Sequence, residues 1–250
     1  MIQKVSLPSP LKLIIHEIID STNEEAKRLA RNGMPEGVVV WAKEQSSGVG
    51  RRGRKWESAR GNLFFSVLLR PDCSASKAMQ LSYVVSLSIA KIIDDVLPSS
   101  VVVRCKWPND ILVENRKISG ILLETQLDPI GDIDWLVIGV GLNIKSFPKD
   151  VAFPATALTH EGARKTISAE IILKLFSYHF LPTYKIWKNL GFESIRTAWL
   201  SRAAWLGREI TVRLEKETLK GKFKDLDKDG ALILLHNGNE RRITAGDIFI

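Results

Sequence analysis

The sequence predicts an α+β protein: a mixed β-sheet packed with helices over residues 1–204, then a small β-barrel over residues 205–250. Through the first part, apolar runs of strand length are interspersed with long stretches of helical spacing. From Gly207 onward the texture changes to short alternating segments divided by Asp229-Gly230 and Asn237-Gly238. With 45% hydrophobic and 26% charged residues, the 250-residue chain has globular composition and length enough to bury a large core and a small one.

The first strand is expected at 11–15, leading into Ser21-Thr22-Asn23-Glu24-Glu25. Both Ser21-x-x-Glu24 and Thr22-x-x-Glu25 fit a capping box, so a helix should start there, buried through Ala26, Leu29 and Ala30 and stopped by Gly33. Residues 38–42 are a β-branched strand, and a glycine-studded polar segment then runs to Asn62 before an apolar strand at 63–69. Residues 76–96 carry helical apolar spacing at Met79, Leu81, Val84, Val85, Ile89, Ile92 and Ile93. Short strands follow at 101–106, 111–114 and 117–125, the last two joined by a tight turn at 114–117, and another strand covers 135–143. Helices are expected at 168–189 and around 192–200, and the barrel strands at 209–214, 218–225, 230–235 and 241–244.

Charge and cysteine usage narrow the function classes. The formal net charge is +8, and half of it sits in residues 43–60, which hold six basic and two acidic residues. Residues 205–250 hold nine basic and eight acidic residues, close to neutral. Such concentration suits one compact anion better than a nucleic-acid backbone, which needs a long basic stripe. Cys73 and Cys105 have neither metal-ligand spacing nor a disulfide framework, so a reducing cytoplasm is expected. Residues 1–5 are followed by no apolar run of signal-peptide length, and the apolar stretches at 84–93 and 136–144 are broken well short of a membrane span.

Four segments carry chemistry. In Glu44-Gln45-Ser46-Ser47-Gly48-Val49-Gly50-Arg51-Arg52-Gly53-Arg54-Lys55-Trp56, glycines let the backbone approach a ligand while arginines supply charge and bidentate donors. Alone, such a run is more often a solvated basic loop, and it lacks Walker spacing. Lys106-Trp107-Pro108-Asn109-Asp110 closes a strand at a turn; its Lys and Asp would suit an acyl-phosphate site, although Asn and Asp also favour turns for their own sake. In Lys117-Ile118-Ser119-Gly120, a glycine inside a strand marks close approach of a ligand or another backbone. Gly139-Val140-Gly141-Leu142-Asn143 leaves room on one strand face and ends on an isolated Asn; by itself, packing explains it as well.

Taken together, with Ser21-Thr22-Asn23 at a helix start, these segments resemble the biotin protein ligase family in order and spacing. The resemblance covers about residues 11–145 strongly and continues more weakly beyond. It implies a class II synthetase-like mixed sheet with a small C-terminal SH3-like barrel, and a two-step reaction. Biotin carboxylate attacks the α-phosphate of MgATP to give biotinyl-5′-AMP and pyrophosphate, and a carrier lysine then attacks the acyl carbon as AMP leaves.

On the matching positions, the resemblance implies that Ser21, Thr22, Asn23, Gln45, Gly120 and the backbone of Val49 and Gly50 contact biotin. Arg51 and Lys117 would hold the carboxyl and phosphate region, where a pre-placed donor is worth on the order of 10²–10³ in rate. Asn143 would contact adenine, Trp56 the adenylate, and Lys106, Arg54 and Asn109 the phosphates or magnesium-linked oxygens. Asp110 would orient the incoming lysine and is a candidate for taking its proton. No protein metal site is expected; ATP and Mg2+ are the implied co-reactants. Many members carry Arg where this chain has Val49, so a side-chain role there would be lost and a backbone role kept. The basic loop is expected to lack order until an anion arrives.

The implied partner is the biotin carboxyl carrier protein of acetyl-CoA carboxylase, and a homodimer is common in the family. A lipoate-type acyl-carrier ligase shares the chemistry but would lack the Gly-Arg-Arg-Gly-Arg-Lys-Trp and Lys-Trp-Pro-Asn-Asp segments. A biotin-responsive DNA-binding repressor would need a helix-turn-helix reader, and about ten residues before the first strand are too few for one, so neither specific DNA nor a membrane is an expected partner. A pure interaction module built on the barrel finds no support in its near-neutral charge.

Overall fold

The computed structural model describes residues 5–250; residues 1–4, at the start of the segment read for a signal peptide, lie outside the described residues. Among the described residues no helix is long and apolar enough to cross a membrane.

In chain order the elements are β1 (Lys12–His16), α1 (Thr22–Arg31), β2 (Val38–Ala42), β3 (Leu63–Leu69), α2 (Ala75–Ala78), α3 (Leu81–Val96), β4 (Val103–Lys106), β5 (Asp110–Val113), β6 (Arg116–Leu127) and β7 (Ile133–Leu142). Then come α4 (Ala169–Leu190), α5 (Glu193–Leu200), β8 (Glu209–Arg213), β9 (Thr218–Leu226), β10 (Leu232–His236), β11 (Asn239–Ile243) and β12 (Asp247–Phe249). The first seven strands form one sheet in the order β1-β2-β3-β7-β6-β5-β4. The β1–β2 pair is parallel and the other pairs are antiparallel, so the sheet is mixed, as expected. A parallel pair needs a crossover, and α1 supplies it.

Both faces of the sheet are covered. Val38 and Val40 pack with Ala26 and Ala30 of α1 on one face, whereas Val39 and Trp41 join the larger core with α3 and α4 on the other. Burial on both sides is why β2 and β3 read as unbroken apolar runs. In the larger core Phe176 of α4 meets Phe65 edge-on at 4.6 Å and stacks on Phe180 at 5.0 Å.

Several expectations are corrected. The helix expected at 76–96 is two helices, because backbone bonds from Gln80 to Lys77 and from Tyr83 to Gln80 tighten the junction; Met79, part of the apolar spacing, is 51% exposed there. Neither capping box forms at α1. Ser21 caps it without a side-chain bond, while Glu24 pairs with Lys27 and Glu25 with Arg28. The β5–β6 turn narrows to Glu114 and Asn115, whose φ values of 48° and 58° make a two-residue primed turn. In the C-terminal part the five strands pair antiparallel in the order β11-β10-β9-β8-β12, the last of them unanticipated.

The turn before β10 docks this small sheet onto the larger unit. The Gly230 carbonyl accepts from the Tyr83 hydroxyl and from Trp107 Nε1 at 3.3 Å, and Gln80 Nε2 donates to the Lys228 carbonyl at 3.2 Å. Gly230 has φ +90°, and a Cβ there would lie 2.6 Å from the Tyr83 ring. Gly230→Ala is therefore expected to destabilise the protein by roughly 2 kcal/mol, measured as a lower urea midpoint.

Candidate active site

A cleft of about 520 Å³ opens over β6 and β7, lined also by the start of α1, residues of the loops 49–57 and 151–155, and β8 and β12 of the small sheet. Its floor is made of glycines. Gly120 pairs with Gly141 across β6 and β7, and Gly139 lies two residues before Gly141. Side chains here would collide with what covers the floor: a Cβ would lie 2.3 Å from the Trp56 ring at Gly141 and 2.1 Å from Asn23 Oδ1 at Gly139. The Trp56 ring itself spreads over Gly120 and Gly141 with its Nε1 buried and without a partner among the described residues. Each residue singled out from the sequence lines this cleft. Val49, 46% exposed, and Arg54 lie toward its rim.

One end is a hydroxyl and amide network. Gln45 Oε1 accepts from Thr22 N at 2.8 Å and from Thr22 Oγ1 at 3.1 Å, and Gln45 Nε2 donates to Ser58 Oγ at 2.8 Å. Ser66, on the α1 side of β3, reaches Thr22 Oγ1 at 2.8 Å and Asn23 Oδ1 at 2.6 Å. Asn23 Nδ2 donates to Glu124 Oε2 at 2.7 Å. Ser21, Thr22 and Asn23 are all buried because α1 starts directly over the sheet.

The other end is charged. Asp110 Oδ1 lies 2.6 Å from Lys117 Nζ, and Asp110 Oδ2 lies 3.6 Å from Lys106 Nζ. Burial alone would raise the Asp110 carboxyl, but the Lys117 and Lys106 ammonium groups and Arg51 hold it below the ordinary carboxylate range. Burial lowers the Lys106 ammonium, against the pull of Asp110. Its charge lies 4.0 Å from the Phe153 ring centre and 5.3 Å from that of Phe249, faces that attract a cation. Lys117 reaches the cleft through a bulge. Ile111 pairs with Ser119 but Leu112 pairs with Lys117, so Ile118 is an extra residue in β6. Without it Lys117 and Gly120 would point to opposite faces; the bulge re-aims Lys117 so that Nζ lies beside Gly120.

The basic loop forms a narrow hairpin. Trp56 N donates to Gly48 O, and Gly50 N to Arg54 O at 2.6 Å. The reason is an anionic partner within the chain itself. Arg51 Nη1 donates to Asn109 Oδ1 and the Gly246 carbonyl, each at 3.2 Å, and lies 3.3 Å from Asp247, which Arg54 also approaches at 3.3 Å. Asn109 Nδ2 donates in turn to the Ile121 carbonyl. Asn143 Nδ2 donates to the Thr156 carbonyl, tying the end of β7 to the loop beside it.

Sequence reasoning missed Ser66, Ser58, Glu124 and Asp247. A lone hydroxyl in the wholly buried run Leu63–Leu69 was a readable signal for Ser66; Asp247 heads a strand of three residues and gave none. Among the described residues no group of three or more His, Cys, Asp or Glu could hold a metal ion.

Family comparison matches residues 15–143 to the Biotin/lipoate A/B protein ligase family and residues 205–250 to the Biotin protein ligase C terminal domain. The "Bifunctional ligase/repressor BirA" of Bacillus subtilis is 33% identical over 94% of this chain and 73% of its own length. The "Biotin--[acetyl-CoA-carboxylase] ligase" of Paracoccus denitrificans is 34% identical over 92% of this chain and 97% of its own. Among solved structures, a biotin protein ligase from Aquifex aeolicus in complex with biotin and ATP superposes with a TM-score of 0.79 at 28% identity, covering 95% of this chain and 97% of that one.

Removing the carboxylate from the charged end leaves Lys106, Lys117 and Arg51 without it. Asp110→Asn is expected to cost on the order of 2 kcal/mol at pH 7 in urea unfolding. Because the folded-state pKa of Asp110 is lowered, its contribution is full above the unfolded value near 3.8 and is lost as pH falls through the folded value. The deficit of the variant should therefore shrink on acidification below that range.

Proposed function

The chain belongs to the Biotin/lipoate A/B protein ligase family, and from that premise we propose that it forms biotinyl-5′-AMP from biotin and ATP and transfers biotin to a lysine of a biotin carboxyl carrier protein of acetyl-CoA carboxylase. The observation that carries the reading is the two-ended cleft: a neutral hydroxyl and amide end and a cationic end, joined by a glycine floor on which the Trp56 ring lies.

Each end suits one part of the chemistry. A cyclic urea offers N–H donors and a carbonyl acceptor, which Ser21, Thr22 and Asn23 can match. The biotin tail runs over Gly120 toward Lys117, in space that the Trp56 ring takes up, so the ring must turn aside for it. Carboxylate and triphosphate repel, so the first step needs cations already in position; Lys117 and Arg51 flank the reacting oxygens and stabilise the charge that develops on them. Arg54, Lys106 and Asn109 take the polyphosphate and the magnesium-linked oxygens; Arg54 and Lys106, being cations, cannot ligate the ion. Magnesium would be held by the substrate phosphates and its own waters, which needs no protein cage, and would neutralise phosphate charge there. Arg51 reaches the phosphates by exchanging the Gly246 and Asp247 oxygens for those of the ligand. Trp56, whose Nε1 has no partner among the described residues, and Asn143 serve the adenine side.

In the second step the carrier amine must approach the acyl carbon beside Asp110. A carboxyl held below its usual range is a weak base, so Asp110 orients the amine and offsets its charge, and the departing phosphate takes up the proton. Val49 acts through its backbone.

Labelled-biotin transfer to a purified carrier domain should require both ATP and magnesium. Lys117→Ala and Arg51→Gly should each lower the adenylation rate on the order of 10²–10³-fold. A wild-type protein that labels no carrier under these conditions would overturn the proposal.

A further inference from the structure

Behind the neutral end of the cleft runs a line of polar side chains that contact one another. Lys27 Nζ lies 2.8 Å from Glu124 Oε1 and 2.6 Å from Glu24 Oε1. Glu124 Oε2 accepts from Asn23 Nδ2 at 2.7 Å, Ser66 Oγ lies 2.6 Å from Asn23 Oδ1 and 2.8 Å from Thr22 Oγ1, and Thr22 reaches Gln45. Ser66 is fully buried. Its pairing partner Gly139 leaves the space that the Asn23 amide fills.

We infer that Lys27, Glu124 and Ser66 are positioning residues that fix the proton sense of the ligand-facing groups, and so decide whether the cleft offers its ligand a donor or an acceptor. This rests on the reading of the neutral end as a urea-recognising site. A carboxylate can only accept, so the Asn23 face toward Glu124 must be its NH2. Asn23 Oδ1 then points at Ser66, which spends its one proton there, so the single Thr22 hydroxyl proton is shared between the acceptors Ser66 Oγ and Gln45 Oε1 and none is left for a ligand. At the far end the Thr22 backbone N–H can only donate, so Gln45 turns its oxygen toward Thr22. With both ends set, the second Asn23 amide hydrogen is left to donate into the cleft and the Thr22 hydroxyl keeps a lone pair for a ligand N–H. That is the complement of a urea. Lys27 holds the Glu124 carboxylate in place.

The test uses biotin and 2-iminobiotin, in which the ureido carbonyl acceptor is replaced by a group that donates when protonated. Titration calorimetry on the full chain, at a pH where the imine is protonated, gives the ratio of the two dissociation constants. Glu124→Gln frees the Asn23 amide to turn over, because a glutamine can meet either face. Biotin binding should weaken about tenfold, and 2-iminobiotin should lose less or gain, so that the ratio shrinks. Lys27→Met should move the ratio in the same direction by less, and Glu124→Asp should restore it in part. An equal loss for both ligands would mean that Glu124 only holds the fold, and an unchanged ratio with unchanged affinities would mean that it does nothing for recognition; either overturns the inference. Wild-type protein that binds neither ligand would instead sink the biotin reading itself, and the inference with it.

Discussion

Lys106, Lys117 and Arg51 would repel one another if gathered in a half-buried cleft, and Asp110 is what allows the gathering. Two like charges about 5 Å apart repel by roughly 3 kcal/mol at an effective dielectric constant near 20. A carboxylate 2.6 Å from one ammonium and 3.6 Å from the other offsets this, and the aromatic faces of Phe153 and Phe249 take up part of the rest for Lys106. The compensation is local and incomplete, which leaves net positive charge facing the cleft. A fully neutralised cluster would have nothing left for an incoming anion, and an uncompensated one would unfold its own walls.

The same constraint explains why the small C-terminal sheet lies against the cleft. Arg51 and Arg54 belong to a loop whose own charges repel, and both approach the Asp247 carboxylate at the start of β12, Arg51 donating also to the neutral Gly246 carbonyl. The sheet is anchored elsewhere, through Gly230 under Tyr83 and Trp107, so Asp247 is delivered at a fixed position. The loop folds on a carboxylate of its own chain, and an oxyanion ligand would compete for the same guanidinium groups. The Arg51 contacts that hold the loop in shape are 3.2–3.3 Å long.

Much of this was legible in the sequence, for identifiable reasons. β2 and β3 were readable because burial on both faces forbids polar residues, and α1 because Ala26 and Ala30 recur at helical spacing. The glycines at 120, 139 and 141 stood out because a strand gains nothing from them locally. What escaped depends on three-dimensional register. The bulge at Ile118 turns Lys117 into the cleft, and no local pattern encodes an extra residue in a strand. The break between α2 and α3 lies in a run whose apolar spacing continues across it, and Gln80 there spends its amide on Trp187 and Lys228, residues far along the chain. The capping boxes were locally correct patterns that lost to ion pairs with Lys27 and Arg28, and Thr22 was drawn off to Gln45.

The central claim is that cations from two separated segments, the hairpin at Arg51 and the bulge at Lys117, converge on one mixed anhydride. A crystal structure with biotinyl-5′-AMP bound addresses it most directly. The account predicts Arg51 turned from Asp247 to the phosphate, with Lys117 Nζ within hydrogen-bonding distance of the acyl or phosphate oxygens. An adenylate seated in the cleft while Arg51 stays on Asp247 and Lys117 touches no ligand atom would contradict it.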